Sequence, residues 1–338
     1  MKRRDRISLY KPGNKKKVRK DKYSELQLRW NLLIPSLKDY TLEKVEFLSV
    51  PGEAPKDFIT AKEYTPGKIS HQESYIAKVG AKSYPHESII EQFITRIGQT
   101  YGLNIADSKL RLIDGQVRFM SKYFLKRSSQ QLTHGAELFE IIFGKEDYGK
   151  LAETKKEHEV LSFQMVCEAV RETFPEYEVK IISGFVEMLT FDALIGHNDR
   201  HPYNWGVVVP VRKAEAPRFS PIFDSARALF WNKPEETVNQ MLRNNQQFEK
   251  YIKKCTTAVC WDGEKDVDYF GLIALVWKEY ETYRPNIERF FPEEHLKNTL
   301  KVLENEFGAL MSEPRMELIG RCLRLRRERL IDAVEKIK

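Results

Sequence analysis

The stretch from Leu189 to Trp231 constrains the fold of this chain more than any other. It opens on the end of an apolar helix and breaks into a polar loop, His197-Asn198-Asp199-Arg200-His201-Pro202-Tyr203-Asn204. A strand follows from Trp205 to Val209, then a charged turn, then a second apolar run from Phe219 to Phe223 that ends on Asp224. Asp and Asn favour turns on their own account, so their spacing in one loop often carries no function. Here the loop is dense in His, Asp, Arg and Asn and lies between two strongly apolar segments. The hairpin after it sets Asp199 and Asp224 at the same end of adjacent strands, where both can reach one metal ion. Phosphoryl transfer needs such a set. One carboxylate orients the attacking hydroxyl and accepts its proton, while an Asn and a second carboxylate hold the ion that neutralises the phosphates.

A nucleotide-binding half is legible upstream. Phe58-Ile59-Thr60 and Tyr75-Ile76-Ala77-Lys78-Val79 read as strands around a polar turn, Pro66-Gly67-Lys68 with Ser70. Neither G-x-x-x-x-G-K-[ST] nor G-x-G-x-x-G occurs, so P-loop and dinucleotide-binding folds do not fit. A loop between two strands can still cover phosphates with its backbone N–H groups. Lys78 is a charge inside an apolar strand. It either snorkels to the surface or grips the α/β-phosphates of a nucleotide and pairs with a helix glutamate. Ile89, Ile90, Phe93, Ile94 and Ile97 recur at helical spacing, with Glu91 at the edge of the stripe and Glu87 one turn earlier. Leu110 to Ile113, Asp114-Gly115 and Val117 to Phe124 read as a hairpin with an Asp-Gly turn.

The segments FDALIGHNDRHPYNWG and FSPIFDSARALF resemble the HipA-like serine/threonine kinases, of the phosphoinositide-kinase-like branch of the protein kinase fold. The hallmark of that family is a D-x-H-x-x-N loop after a long helix, then a metal-binding Asp at the end of a short hairpin. The resemblance implies an α+β, two-lobed kinase-like fold, with a small β-rich N-lobe over residues 23–127 and a larger, mostly helical C-lobe over 128–338. It implies a kinase that uses ATP and Mg²⁺ and phosphorylates a protein Ser/Thr hydroxyl. Asp199 is then the base, His201 organises the loop, and Asn204 and Asp224 hold the metal. Lys78, braced by Glu91, holds phosphates, and adenine meets the hinge around Ser121 and Tyr123. Members of the family are often toxins with a small helix-turn-helix antitoxin, and such a partner is implied in the same way. The family's Ser-containing phosphate loop is not recognisable; Ser70 and Ser74 are the nearest candidates. Residues 1–70 match the family's N-terminal subdomain poorly.

The same residues bear on other functions. His197-x-Asp199 also fits the H-x-D-x-x-x-x-N loop of small-molecule kinases, so a lipid head group or small-molecule acceptor stays open. A catalytically silent scaffold has no need of Lys78, Asp199, Asn204 and Asp224 together. His197 and His201 are four apart, but Asn198 stands where H-E-x-x-H needs Glu and Pro202 interrupts a helix, against a zinc hydrolase. Arg200 either binds phosphate or braces the loop.

Composition bounds the rest. A chain of 338 residues with 41% hydrophobic and 12% aromatic residues folds around a large core. No run of 18 apolar residues occurs and the N-terminus lacks an apolar signal core, so no membrane span and a cytoplasmic location are expected. Cys167, Cys255, Cys260 and Cys322 form no C-x-x-C pair and read as free thiols. The net charge of +7 belongs to residues 1–22, which hold eleven Lys/Arg and two Asp/Glu. That basic tail reads as a solvated arm, with nucleic-acid contact as the sharper alternative. Alternating Leu26, Leu28, Trp30 and Leu32 predict a strand, as does Val45 to Val50. Helices are expected over Glu137–Phe143, Glu159–Val170, Val179–Ile195, Asp268–Tyr283, Glu294–Phe307 and Met316–Ile337.

Overall fold

The computed structural model describes residues 24–38, 40–43, 56–62, 72–80, 86–126, 129–154, 157–212, 215–255 and 257–338. The basic tail, the expected strand at Val45 to Val50, the Pro66-Gly67-Lys68 turn and Ser70 lie outside these residues. The first described element is a helix, α1 (Ser24–Leu33), and not the strand that alternation predicts. Its buried side chain Trp30 is followed four residues on by buried Ile34, while Leu28 and Leu32 face solvent. Spacing of four, rather than two, decides which residues enter the core.

Five antiparallel strands follow: β1 (Tyr40–Glu43), β2 (Lys56–Lys62), β3 (Gln72–Val79), β4 (Ser108–Ile113) and β5 (Gln116–Lys122). They form a sheet in the order β1-β2-β3-β5-β4. Asp114 and Gly115 both have positive φ in the β4–β5 turn, as an Asp-Gly hairpin requires. Strand alternation sends Tyr75 and Ala77 into a small core with Ile59 and Met120. Ile76 and Lys78 therefore point to the opposite face. Helix α2 (Glu87–Thr100) packs against β4 and β5 and turns Ile89, Ile90, Phe93, Ile94 and Ile97 into the main core.

The second lobe begins with a strand that the sequence does not announce, β6 (Gln130–His134). It pairs with β7 (Gly206–Pro210), which pairs with β8 (Arg218–Phe219). The expected strand from Phe219 to Phe223 leaves that ladder after Phe219. Instead Ile222 donates to the Asn104 carbonyl at 2.8 Å and accepts from Ala106 at 2.9 Å, so the approach to Asp224 is tied to the first lobe. Helices α3 (Gly135–Phe143), α4 (Lys145–Glu153), α5 (Glu157–Val160), α6 (Phe163–Thr173) and α7 (Glu178–Ile195) precede the polar loop. The helix expected over Glu159–Val170 is broken at Ser162, whose hydroxyl caps α6 by accepting from the Met165 amide at 3.1 Å. After the hairpin come α8 (Glu235–Arg243), α9 (Asn245–Lys253), α10 (Tyr269–Glu279), α11 (Arg284–Glu288), α12 (Glu293–Phe307) and α13 (Glu313–Glu335). Helices α8 and α9 escape prediction because each buries only two side chains, Val238 and Met241, and Phe248 and Ile252.

Helix α2 belongs to both lobes. Phe93 packs edge-on to Phe307 of α12 at 5.1 Å, Tyr101 stacks on Phe290 at 5.3 Å, and the Thr100 hydroxyl meets that of Thr299 at 2.8 Å. Trp30 donates to the Leu310 carbonyl at 2.9 Å and adds α1 to the same seam. One contiguous core thus runs from β4 and β5 through α2 into the helical lobe. Phe93→Ala is expected to cost about 3–5 kcal/mol and to leave unfolding a single transition in denaturant. Two resolved transitions in the wild-type protein would show that the lobes are not joined through α2.

Candidate active site

The two lobes meet at a cleft of about 560 Å³. Six of the eight residues proposed from sequence line it: Lys78, Glu91, Asp199, His201, Asn204 and Asp224. Ser121 and Tyr123 are not brought to this cluster. Ser121 is a ladder residue between Ile76 and Ser108. The Tyr123 amide donates to the Ser74 carbonyl at 2.9 Å and its ring packs edge-on to Phe58 at 5.2 Å.

The roof of the cleft is a buried charge cluster. The Lys78 ammonium donates to Glu91 Oε1 at 2.6 Å and to Asp224 Oδ1 at 2.8 Å. Glu91, not Glu87, is therefore the helix partner of the strand lysine. A lysine that sequence reasoning did not single out, Lys56 of β2, donates to Asp224 Oδ2 at 3.0 Å. Its signal is only structural, since β2–β3 register sets it opposite Lys78. Burial raises the Asp224 carboxyl, but Lys78 and Lys56 outweigh it and hold the group far below the ordinary carboxylate range. Burial disfavours the Lys78 charge, yet Asp224 and Glu91 keep the ammonium protonated above its usual range. Glu91 is pushed up to about 7 by burial, against the pull of Lys78. Asp224 itself sits at a φ of 54°, a left-handed conformation that Asp and Asn tolerate better than most residues.

The floor is the polar loop after α7. Gly196 ends that helix with a φ of 70°, and a Cβ there would lie 3.0 Å from the Arg326 guanidinium carbon. The loop is then held by Arg200, which is wholly buried. Its guanidinium donates to both oxygens of Asp192 on α7 at 2.8 and 2.9 Å. It also donates to the carbonyls of Asn204 at 3.0 Å and Phe223 at 2.7 Å, and to the Ser225 hydroxyl at 3.0 Å. Arg200 is a brace. Its five donors face protein acceptors on both sides of Asp224 and none is left for phosphate. Asp192 was missed in sequence, although it carries the same signal as Lys78, one charge in an apolar segment.

Asn204 donates through Nδ2 to the Asp199 carbonyl at 2.9 Å, which turns its Oδ1 away from the loop. His197 is buried and accepts the Asp199 amide proton at Nδ1, at 3.4 Å. Burial, then Arg200, holds its pKa well below the ordinary value, so it is a neutral loop support. Asp199 is the open member, 48% exposed, with Arg227 Nε 3.8 Å from its carboxylate. The Arg227 guanidinium rests on the Trp231 ring, 4.3 Å from its centroid. Burial raises the Asp199 carboxyl pKa, opposed by His201 and Arg227. His201 packs edge-on to Tyr203 at 6.2 Å, a contact that suits a loop-organising role. The side-chain oxygen Oδ1 of Asn204 and the carboxylate of Asp224 are hard oxygen donors, the chemistry that Mg²⁺ selects. Among the described residues no cluster of three His, Cys, Asp or Glu offers a competing metal site, and no helix is long and apolar enough to cross a membrane.

The family model of the HipA-like C-terminal domain matches residues 48–272. The Helicobacter pylori proinflammatory kinase CtkA has a similar structure, with a TM-score of 0.67 and 20% identity, covering 90% of this chain and 98% of that one. Shewanella oneidensis MR-1 HipA, solved with HipB and operator DNA, gives a TM-score of 0.46 and 15% identity over 88% of this chain and 69% of its own. No curated protein sequence matches the chain. The likeness to CtkA shows a shared two-lobed, kinase-like fold.

Arg200→Met is expected to cost about 3–5 kcal/mol of stability in denaturant unfolding, since it leaves Asp192 buried without its partner. Removing both charges, with Arg200→Met and Asp192→Leu together, should recover a large part of the loss. A stable Arg200→Met protein that has lost only nucleotide affinity would make Arg200 a phosphate ligand instead.

Proposed function

The chain belongs to the family of HipA-like C-terminal domains, and on that premise we propose that it is an ATP- and Mg²⁺-dependent kinase acting on a protein Ser or Thr hydroxyl. The observation that carries this reading is the convergence of Lys78, Glu91 and Asp224 with Asp199 and Asn204 on one cleft. Lys78 is oriented by Glu91 to grip the α/β-phosphates. Asn204 and Asp224 are the pair suited to hold Mg²⁺, which when bound neutralises charge on the phosphates. Asp199 faces the mouth of the cleft, where it orients the acceptor hydroxyl and takes its proton. The acceptor oxygen then bonds to the γ-phosphorus, the bond from that phosphorus to the β–γ bridging oxygen breaks, and ADP leaves. A carboxyl with a raised pKa is the better proton acceptor for this step. Its exposure favours an acceptor carried on a large body over one enclosed in a pocket.

Two substitutions separate the roles. Asp199→Asn keeps the backbone carbonyl that Asn204 uses and removes the proton acceptor. It is expected to bind ATP with Mg²⁺ nearly as wild type, while phosphoryl transfer falls by roughly 10²–10⁴. Asp224→Asn keeps a residue at ease with positive φ and removes the metal-binding charge, so it should lose both the Mg²⁺-dependent part of nucleotide affinity and turnover. Calorimetry with and without Mg²⁺, beside transfer of labelled γ-phosphate to lysate proteins, reads both. Full transfer activity in both variants would end the kinase reading, and the opposite pattern would exchange the two roles.

A further inference from the structure

Arg227 lines the cleft beside Asp199 and has no part in the roles above. It is the reverse of Arg200. Arg200 is wholly shielded and its donors face protein acceptors. The Arg227 side chain is 34% exposed, and among the described residues none of its donors has a hydrogen-bond partner. Its nearest carboxylate oxygen, Asp199 Oδ2, lies 3.8 Å from Nε, too far for a hydrogen bond. Glu157, which also lines the cleft, accepts instead from the Tyr148 hydroxyl at 3.0 Å.

The guanidinium is nevertheless held in place. Its face rests on the Trp231 ring at 4.3 Å. The Arg227 carbonyl accepts from the Asn198 amide at 3.3 Å, which ties the residue to the polar loop next to Asp199. Between Arg227 and Trp231 the chain turns through Leu229 and Phe230, at φ of 47° and 62°. Bulky residues keep that conformation only where the surroundings over-determine it. Here the Phe230 amide donates to the Tyr251 hydroxyl at 2.8 Å, its ring stacks on Tyr251 at 4.2 Å, and its carbonyl accepts from Arg315 at 3.1 Å. The fold thus maintains a strained turn that sets a stacked arginine, with its donors open, beside the base.

A planar fork fixed in this way loses little freedom when it binds an oxyanion, and it can do so through two parallel hydrogen bonds. The molecule that comes to Asp199 is the acceptor, since Asp199 orients its hydroxyl. We propose that Arg227 selects the acceptor: it binds an anionic group, a carboxylate or a phosphate, carried on the acceptor protein within a few residues of the Ser or Thr that receives the phosphoryl group. An acceptor with a basic side chain at that point meets like charge and is disfavoured, so the same residue both attracts and rejects. This rests on the kinase reading, since it needs an acceptor hydroxyl at Asp199.

The test is transfer of labelled γ-phosphate from ATP with MgCl₂, by the full chain, to an array of peptides. Each peptide has one central Ser or Thr and one flanking position set in turn to Asp, Glu, phosphoserine, Ala or Lys. Wild type is expected to favour an acidic residue over Ala at one or two positions by roughly tenfold, the worth of one charged hydrogen bond. The Asp and Glu peptides against the phosphoserine peptides tell carboxylate from phosphate as the preferred group. Arg227→Gln should label acidic and Ala peptides alike, through a raised KM for the acidic peptide with the KM for ATP unchanged. Arg227→Glu should turn the preference toward Lys at the same position, a reversal that a merely structural role would not produce. If Arg227→Glu fails to fold, Arg227→Gln alone decides. Equal labelling of acidic and basic peptides by wild type, or an acidic preference that survives in Arg227→Gln, overturns the proposal and leaves the kinase reading standing. So does a loss of ATP affinity in Arg227→Gln, which would make Arg227 a nucleotide ligand. A wild-type protein that labels no peptide overturns the proposal, and one that also labels no lysate protein overturns the kinase reading with it.

Discussion

The ion pair between Lys78 and Glu91 is the interaction on which the site depends. A lysine on a strand of the first lobe and a glutamate on a helix that both lobes share can meet at 2.6 Å only if β3, α2 and the helical lobe keep one relative placement. Burying two charges is costly, so the pair persists because the surrounding packing over-determines it. That packing is the seam of α2 against α12, with Phe93 on Phe307 and Tyr101 on Phe290 and His295. The surface pair between Arg96 and Glu306 spans the same seam at 2.6 Å, but each side chain is about a third or more exposed and it adds little. The aromatic contacts, not the exposed charges, hold the glutamate in place.

A second buried pair does for the floor what Lys78 does for the roof. Arg200 and Asp192 are both fully shielded, and the guanidinium spans the loop from α7 to the Asp224 turn. Through carbonyls of Asn204 and Phe223 it fixes the backbone on either side of the metal-binding pair. Two rigid frames thus face each other. One presents ammonium groups and the other presents oxygens, and Asp224 is where they touch.

Much of this was legible in the sequence, and what was not has identifiable physical causes. Lys78 stood out because a charge interrupts an apolar strand, and Asp199, Asn204 and Asp224 followed from loop and hairpin spacing. Asp192 interrupts its helix in the same way and marks the partner that decides the role of Arg200. Lys56 has no such mark. Its opposition to Lys78 is a property of strand register, which sequence distance does not encode. The alternating leucines before residue 33 satisfied the strand period, yet the buried side chains follow the helical one, since tertiary contacts of Trp30 choose the face. Ser121 and Tyr123 were placed by analogy with a hinge; Ser121 lies in the ladder opposite Ile76 and the Tyr123 amide is tied to Ser74, outside the charge cluster.

The central claim is that the ammonium between Glu91 and Asp224 is poised for nucleotide phosphates. Calorimetric titration of Lys78→Met with ATP in Mg²⁺ tests it most directly, beside an unfolding curve for the ligand-free variant. The account predicts a folded protein whose ATP affinity falls roughly tenfold or more, as loss of a charged hydrogen bond demands. A folded Lys78→Met protein that binds ATP as tightly as wild type would contradict it.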